Sequence, residues 1–457
     1  MNKVYLKKVT LSGIHKRYSL DIEFNETLNV LHGHNGTGKS TLIHIIANIA
    51  NCDFFRFAYL DFDKICVSYS NGSSITLEEK EKAEEKIVEI STSNGEVFEF
   101  SKKLALEMTR IDDDERGFES ISHEAIEHLN SFVEKNELKH VKTSYFPAFR
   151  TMLEAWASQS NSRLHPNHRR SNIKQTTSFA RNIFSQFLPT INFPSPLDIE
   201  NNLRNEIREA QISIARYESS VFSDSFVKVF NALLNKPNYE INTDALLSEI
   251  SELTSKTNTS KLGDYESNSN TYRQLQALVE SSHDHDNLAT SAASALAVYR
   301  DALQERQNYQ LRAFKEIDKY FKVVNDFLDK KELTYELDKR RRIPKVGLQF
   351  PDKTWSSIKV MSSGERQLLT MLYAVNKMSG NSVVLIDEPE LSLHIDWQED
   401  LLERMVEQLG ERQIIVCTHS PSIAADFEEY MKEVIPVYID SKQEKLKENE
   451  FDDEDFF

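Results

Sequence analysis

"TLNVLHGHNGTGKSTLIHIIANIA", residues 27–50, decides the fold. A short apolar run, "LNVL", reads as a buried strand, and "STLIHIIANIA" reads as a helix. Between them Gly33-His34-Asn35-Gly36-Thr37-Gly38-Lys39-Ser40 fits the G-x4-G-K-[S/T] pattern in its required context, after a strand and opening a helix. The glycines let backbone N–H groups wrap phosphates, and the helix start adds a positive field. Lys39 is expected on the β and γ phosphates of ATP and Ser40 on Mg2+, with His34, Asn35, Thr37 and Thr41 completing the nucleotide loop. A tight structural turn is the bland alternative.

Three later stretches bear on the same chemistry. "VVLIDEPE", residues 383–390, is an apolar strand ending in carboxylates. Asp387 is expected to bind Mg2+ through water and Glu388 to orient and polarise the attacking water. Taken alone, the pair also fits helix capping. His419 follows the next apolar strand, "IIVC", where an open α/β sheet keeps its ligand crevice, and an imidazole there can hydrogen-bond a γ-phosphate. "MSSGERQ", residues 361–367, holds a capping box, Ser362 with Glu365 three residues on. A capped helix start bearing Ser362, Ser363 and Gly364 is also an anion site. Because residues 33–41 already give one helix start to a nucleotide, the second most simply serves a nucleotide held by another subunit.

Length and composition set the frame. A chain of 457 residues exceeds one compact core. Its 55 basic and 72 acidic residues leave a formal charge of −17, which argues against general adhesion to nucleic acid or anionic membrane. The cysteines, Cys52, Cys66 and Cys417, form no C-x-x-C pair, which fits a reduced, cytoplasmic protein. No apolar run is long enough to span a bilayer, and the N-terminus alternates at strand period.

The pattern predicts an ATPase lobe over 1–157, in which "KICVSYS", "SITLEE", "KIVEIST" and "EVFEF" form an antiparallel addition. Residues 158–335 are expected to hold an exposed basic loop, 158–190, and a helical insertion whose heptads are too short-lived for a long coiled coil. Over 336–440, "VGLQF", a helix, "SVVLIDE", a helix and "QIIVCTHS" read as α/β with a parallel sheet. Residues 441–457 form an acidic tail.

This ordered set, GHNGTGKST, MSSGERQ, VVLIDEPE and CTHS, resembles the ABC-type ATPases, and the large insertion resembles their SMC and OLD-like branch. The resemblance implies a P-loop NTPase of ABC type with a mixed or parallel sheet, flanking helices and an antiparallel β addition. It also implies a head-to-tail dimer or higher assembly around two ATP molecules, with Ser362 and Gly364 of one subunit on the γ-phosphate held by Lys39 of the other. "DEPELSLHIDWQ" and "YFPAFR" are similar to the Septu-type anti-phage defence ATPases, which implies regulation of a separate HNH-type nuclease. The chain departs from those patterns at Ile395, Ser363 and Thr151. With about 35 residues after His419, no OLD-type nuclease domain is expected within the chain. An SMC-like repair clamp acting on DNA and an ATP-gated scaffold with little turnover are the alternatives. Arg150, Arg169, Arg170, Arg340, Arg341 and Arg342 are candidate contacts for nucleic acid or a partner, although charge runs usually face solvent. "HDHD", residues 283–286, has metal-ligand residue types but reads better as a solvated turn.

Overall fold

A computed structural model describes residues 4–82, 84–113, 123–139, 141–150, 169–191, 193–234, 243–258, 290–337, 343–377, 382–410, 412–424 and 426–439. It divides into two units, residues 1–195 with 362–457, and residues 196–361. The boundaries fall at 195/196 and 361/362, where sequence patterning had put the insertion at 158–335. The acidic tail and "HDHD" lie outside the described residues.

The first unit carries two sheets. One is antiparallel, with β1 (Leu6–Ile14), β2 (Tyr18–Glu23), β4 (Lys64–Tyr69), β5 (Ser74–Lys82), β6 (Glu85–Thr92), β7 (Val97–Ser101) and β15 (Val437–Tyr438) in the order β15-β2-β1-β4-β5-β6-β7. The other is parallel, with β3 (Leu28–His32), β8 (Lys142–Phe146), β12 (Ser382–Asp387), β13 (Gln413–Cys417) and β14 (Met431–Glu433) in the order β14-β3-β13-β12-β8. Its central strands are continuously apolar, with Val383 to Ile386 and Ile414 to Cys417 buried, as strands covered on both faces must be. Helix α1 (Lys39–Ala50) follows β3 and buries Leu42, Ile43, Ile45, Ile46 and Ile49. The distant ends of the chain are joined by Gln413, which is 1% exposed. Its Oε1 accepts from Leu6 N at 3.0 Å, and its Nε2 donates to Leu6 O at 2.9 Å and Asn25 O at 2.7 Å.

Two stretches differ from expectation here. Within the expected basic loop, Arg169–Ile183 is a helix of the first unit. Few apolar residues announce it, because long-range polar contacts hold it: Arg181 donates to Leu188 O at 2.9 Å and pairs with Asp53 at 3.1 Å, and Asn48 Nδ2 donates to Phe187 O at 2.8 Å. "VGLQF" lies not in the parallel sheet but in a three-stranded antiparallel sheet of the second unit, β9 (Glu332–Leu337), β10 (Pro344–Gln349) and β11 (Trp355–Ser356).

The second unit is otherwise helical. Pro196–Leu234 and Thr290–Phe327 run antiparallel, each spanning about 58 Å at 1.5 Å per residue. Polar and aromatic pairs set their register: Tyr217 stacks on Tyr309 at 3.9 Å, Ser213 bonds Tyr309 at 2.7 Å, and Arg306 pairs with Glu218 at 3.0 Å. Such pairs escape a heptad search, so helices this long went unexpected. Among the described residues no helix is long and apolar enough to cross a membrane.

Candidate nucleotide site

Parallel pairing aligns the carboxyl ends of β3, β13 and β12, and each strand delivers one part of the site. From β3 comes the loop at 33–38, which needs the backbone freedom of glycine: Gly33, Gly36 and Gly38 have φ of 148°, 81° and 91°. A Cβ on Gly38 would also strike the Tyr18 hydroxyl at 2.4 Å. Thr37 Oγ1 donates to His34 O at 3.0 Å, while His34, Asn35, Gly36 and Ser40 face solvent and Thr41 is half-buried. Lys39, 6% exposed, turns its Nζ back onto Gly33 O at 2.8 Å and His34 O at 3.0 Å. Burial lowers its pKa against the pull of neighbouring acidic groups, Asp387 and Glu388 among them. A buried ammonium held only by carbonyls is matched to an arriving anion.

From β12 come the carboxylates. Asp387 is 6% exposed, and burial, with Glu388 and Glu390 close by, pushes its carboxyl up to about 6, opposed by a hydrogen bond from Ser40 and the charge of Arg150. This contact between Ser40 and Asp387, an all-oxygen donor pair in a field of excess negative charge, fits Mg2+. Bound there by these two residues, Mg2+ would supply charge neutralisation at the β and γ phosphate oxygens. Among the described residues no three His, Cys, Asp or Glu side chains converge as a metal cluster, so phosphate and water would complete the shell.

Glu388 is half-buried in a left-handed conformation, φ 49°, and its N–H donates to Cys417 O at 2.8 Å. From β13 comes His419, whose Nε2 lies 3.8 Å from Glu388 Oε1. The sequence reading missed what holds these two loops together. Glu390 Oε1 accepts from Thr418 Oγ1 at 2.7 Å, His419 N at 2.9 Å and Ser420 N at 3.1 Å. Gln398 Oε1 accepts from Ser420 Oγ at 2.9 Å. Glu390 and Gln398 both sit inside "DEPELSLHIDWQ", and a third carboxylate after an Asp-Glu pair was the available signal. An open cleft of about 440 Å³ separates this loop from the phosphate loop, lined by His34, Asn35, His419 and Glu433 among others.

The capping box forms: Glu365 N donates to Ser362 Oγ at 3.3 Å and Ser362 N to Glu365 Oε2 at 2.8 Å, opening the helix Ser363–Lys377. Ser362 is exposed and Ser363 half-buried. Gly364 is buried within its own unit, where a Cβ would meet the Ser392 carbonyl oxygen at 2.5 Å, so the accessible part of the motif is its two serines. Arg150 is a correction. Expected at a nucleic-acid or partner surface, it is 1% exposed and spends its guanidinium on four backbone carbonyls of this chain. Arg169 and Arg170 fall on the first turn of their helix with side chains outside the described set, and Arg340, Arg341 and Arg342 lie outside it altogether.

The Retron Ec83 probable ATPase of Escherichia coli is 33% identical over 79 residues, 15% of this chain and 15% of that protein, so the chain matches only a small part of that relative's length. The Smc head domain with an extended coiled coil from Pyrococcus furiosus, solved bound to the C-terminal domain of ScpA, is 14% identical with a TM-score of 0.40, covering 98% of this chain and 100% of that one. An Smc head with a coiled coil and joint from Pyrococcus yayanosii is 12% identical with a TM-score of 0.35, covering 98% and 100%. Likeness at that level carries no argument about function. The model of the AAA ATPase domain family AAA_15 matches residues 5–424, nearly the whole described chain, and the protein therefore belongs to that family of mixed α/β P-loop ATPases.

Proposed function

We propose that the chain binds and hydrolyses ATP with Mg2+ in a head-to-tail dimer or higher assembly, and that this cycle regulates a separate HNH-type nuclease in anti-phage defence of the Septu kind. What carries the ATPase reading is the placement of Lys39, Asp387, Glu388 and His419 at or just beyond the carboxyl ends of three neighbouring parallel strands, with Glu388 and His419 3.8 Å apart. Phosphate oxygens displace the loop carbonyls from Lys39. Glu388 orients a water in line with the γ-phosphorus and takes its proton as the bond to ADP breaks, while His419 donates to a γ oxygen. Ser362 and Ser363 of a second subunit close the site over the γ-phosphate. The 79-residue likeness to a retron's probable ATPase supports the ATPase part. "DEPELSLHIDWQ" and "YFPAFR" support the Septu-like part.

One experiment tests both parts: the full chain and Glu388→Gln are each purified with the product of the neighbouring gene and assayed for ATP turnover. Glu388→Gln should lose roughly 10² to 10⁴-fold in kcat while still binding ATP. Both proteins should retain a nuclease subunit. Equal rates would remove Glu388 as general base, and a neighbouring product that is no nuclease, or never co-purifies, would end the defence reading.

A further inference from the structure

Arg150 lies four residues beyond β8, which pairs in parallel with β12 so that Phe146 faces Ile386. That pairing carries the arginine to the turn after Asp387. Its Nη1 donates to Pro147 O at 3.2 Å and Asp387 O at 3.1 Å. Its Nη2 donates to Glu388 O at 3.2 Å and Pro389 O at 3.1 Å. Three consecutive carbonyls, 387 to 389, are thus held by one planar fork.

The turn it holds has two reasons to relax. Glu388 carries a β-carbon at φ 49°, a left-handed conformation that L-residues adopt only at a cost. It also precedes Pro389, and a proline drives the residue before it toward extended backbone. Relaxation would swing the Cα–Cβ bond of Glu388 and carry its carboxylate away from His419. Misplacement by about 1 Å at a reacting centre can cost about 10²-fold in rate. A lysine could not replace the fork, since a single ammonium on a flexible stem offers no pair of divergent nitrogens.

We infer that Arg150 is a positioning residue for ATP hydrolysis: by clamping the carbonyls of Asp387, Glu388 and Pro389 it holds Glu388 in the left-handed turn that aims its carboxylate at the attacking water. The inference rests on the reading of Glu388 as general base. It separates Arg150 from surface arginines of the chain, and gives the arginine of "YFPAFR" a task inside the site rather than on a ligand outside it.

The test uses the full chain with Arg150→Gln and Arg150→Lys, measured for kcat and KM with MgATP. Amide hydrogen exchange across residues 385–391 is followed in the nucleotide-free protein. Both variants should lose about 10²-fold in kcat with KM held within about threefold, the signature of a lost transition-state contact. Exchange at the Glu388 amide should accelerate, while the strand 413–415 keeps its protection. Unchanged kcat in a folded variant, or a loss of ATP binding that matches the loss of turnover, would overturn the inference. If the wild type hydrolyses no ATP, the functional reading fails by itself. The exchange measurement then still decides the clamp, and unchanged exchange in Arg150→Gln would refute it.

Discussion

At Asp387 the chain buries a carboxylate to 6% exposure, with Glu388 and Glu390 close by. Its pKa of about 6 lies above the ordinary 3.8, so between those values the folded chain holds a proton that the unfolded chain has released. Stability therefore falls as pH rises from about 4 to about 6 and stays low above that, a cost on the order of 3 kcal/mol at neutral pH. Asp387→Asn should raise the melting temperature of the nucleotide-free protein at pH 7.5. The gain should shrink toward pH 4, and MgATP turnover should be abolished. Melting curves across that range check it, and a variant less stable than wild type at pH 7.5 would contradict it. The phosphate loop, Asp387, Glu388 and His419 were legible because each stands at a strand end in a short, fixed pattern. Arg150 was misread because its partners at 387 to 389 lie more than two hundred residues away in sequence, and Glu390 was overlooked because it reaches across to the loop after the neighbouring strand; spacing encodes neither contact.

At the scale of elements, the helix Ser363–Lys377 and the loop after β12 are fitted to each other through Gly364 and Ser392. Ser392 itself sits at φ 67°, so the carbonyl that a new Cβ would strike is part of a turn that cannot shift freely. Gly364→Ala should destabilise the chain by about 1–3 kcal/mol, as overpacking does in a close-packed interior. Chemical denaturation would report it as a lower midpoint with an unchanged slope, whereas a neutral result would mean that the loop yields. In the first unit β1, β3 to β7, β12 and β13 were readable from alternation and apolar runs, whereas β14 and β15, three and two residues long, carry too little pattern to be read. The helix Arg169–Ile183 and the placement of "VGLQF" were not, since the first depends on Arg181 reaching Asp53 and the second on a hairpin with Glu332–Leu337.

For the whole molecule, residues 1–195 and 362–457 form one ATPase unit interrupted by a helical one. The proposed shared site turns on Ser362, which is exposed while its hydroxyl caps the helix that follows. The measurement that bears most directly on this account is ATP turnover by Ser362→Arg, by Lys39→Ala and by their equal mixture. Each variant alone should be inactive, the first because it blocks its neighbour's site and the second because it binds no phosphate. In the mixture half of the dimers pair one variant with the other, and each of these holds one intact composite site of two. Turnover should then return to about a quarter of the wild-type rate per subunit, as two-fold pairing requires. Normal turnover by Ser362→Arg alone, or a mixture no more active than its components, would contradict the shared site.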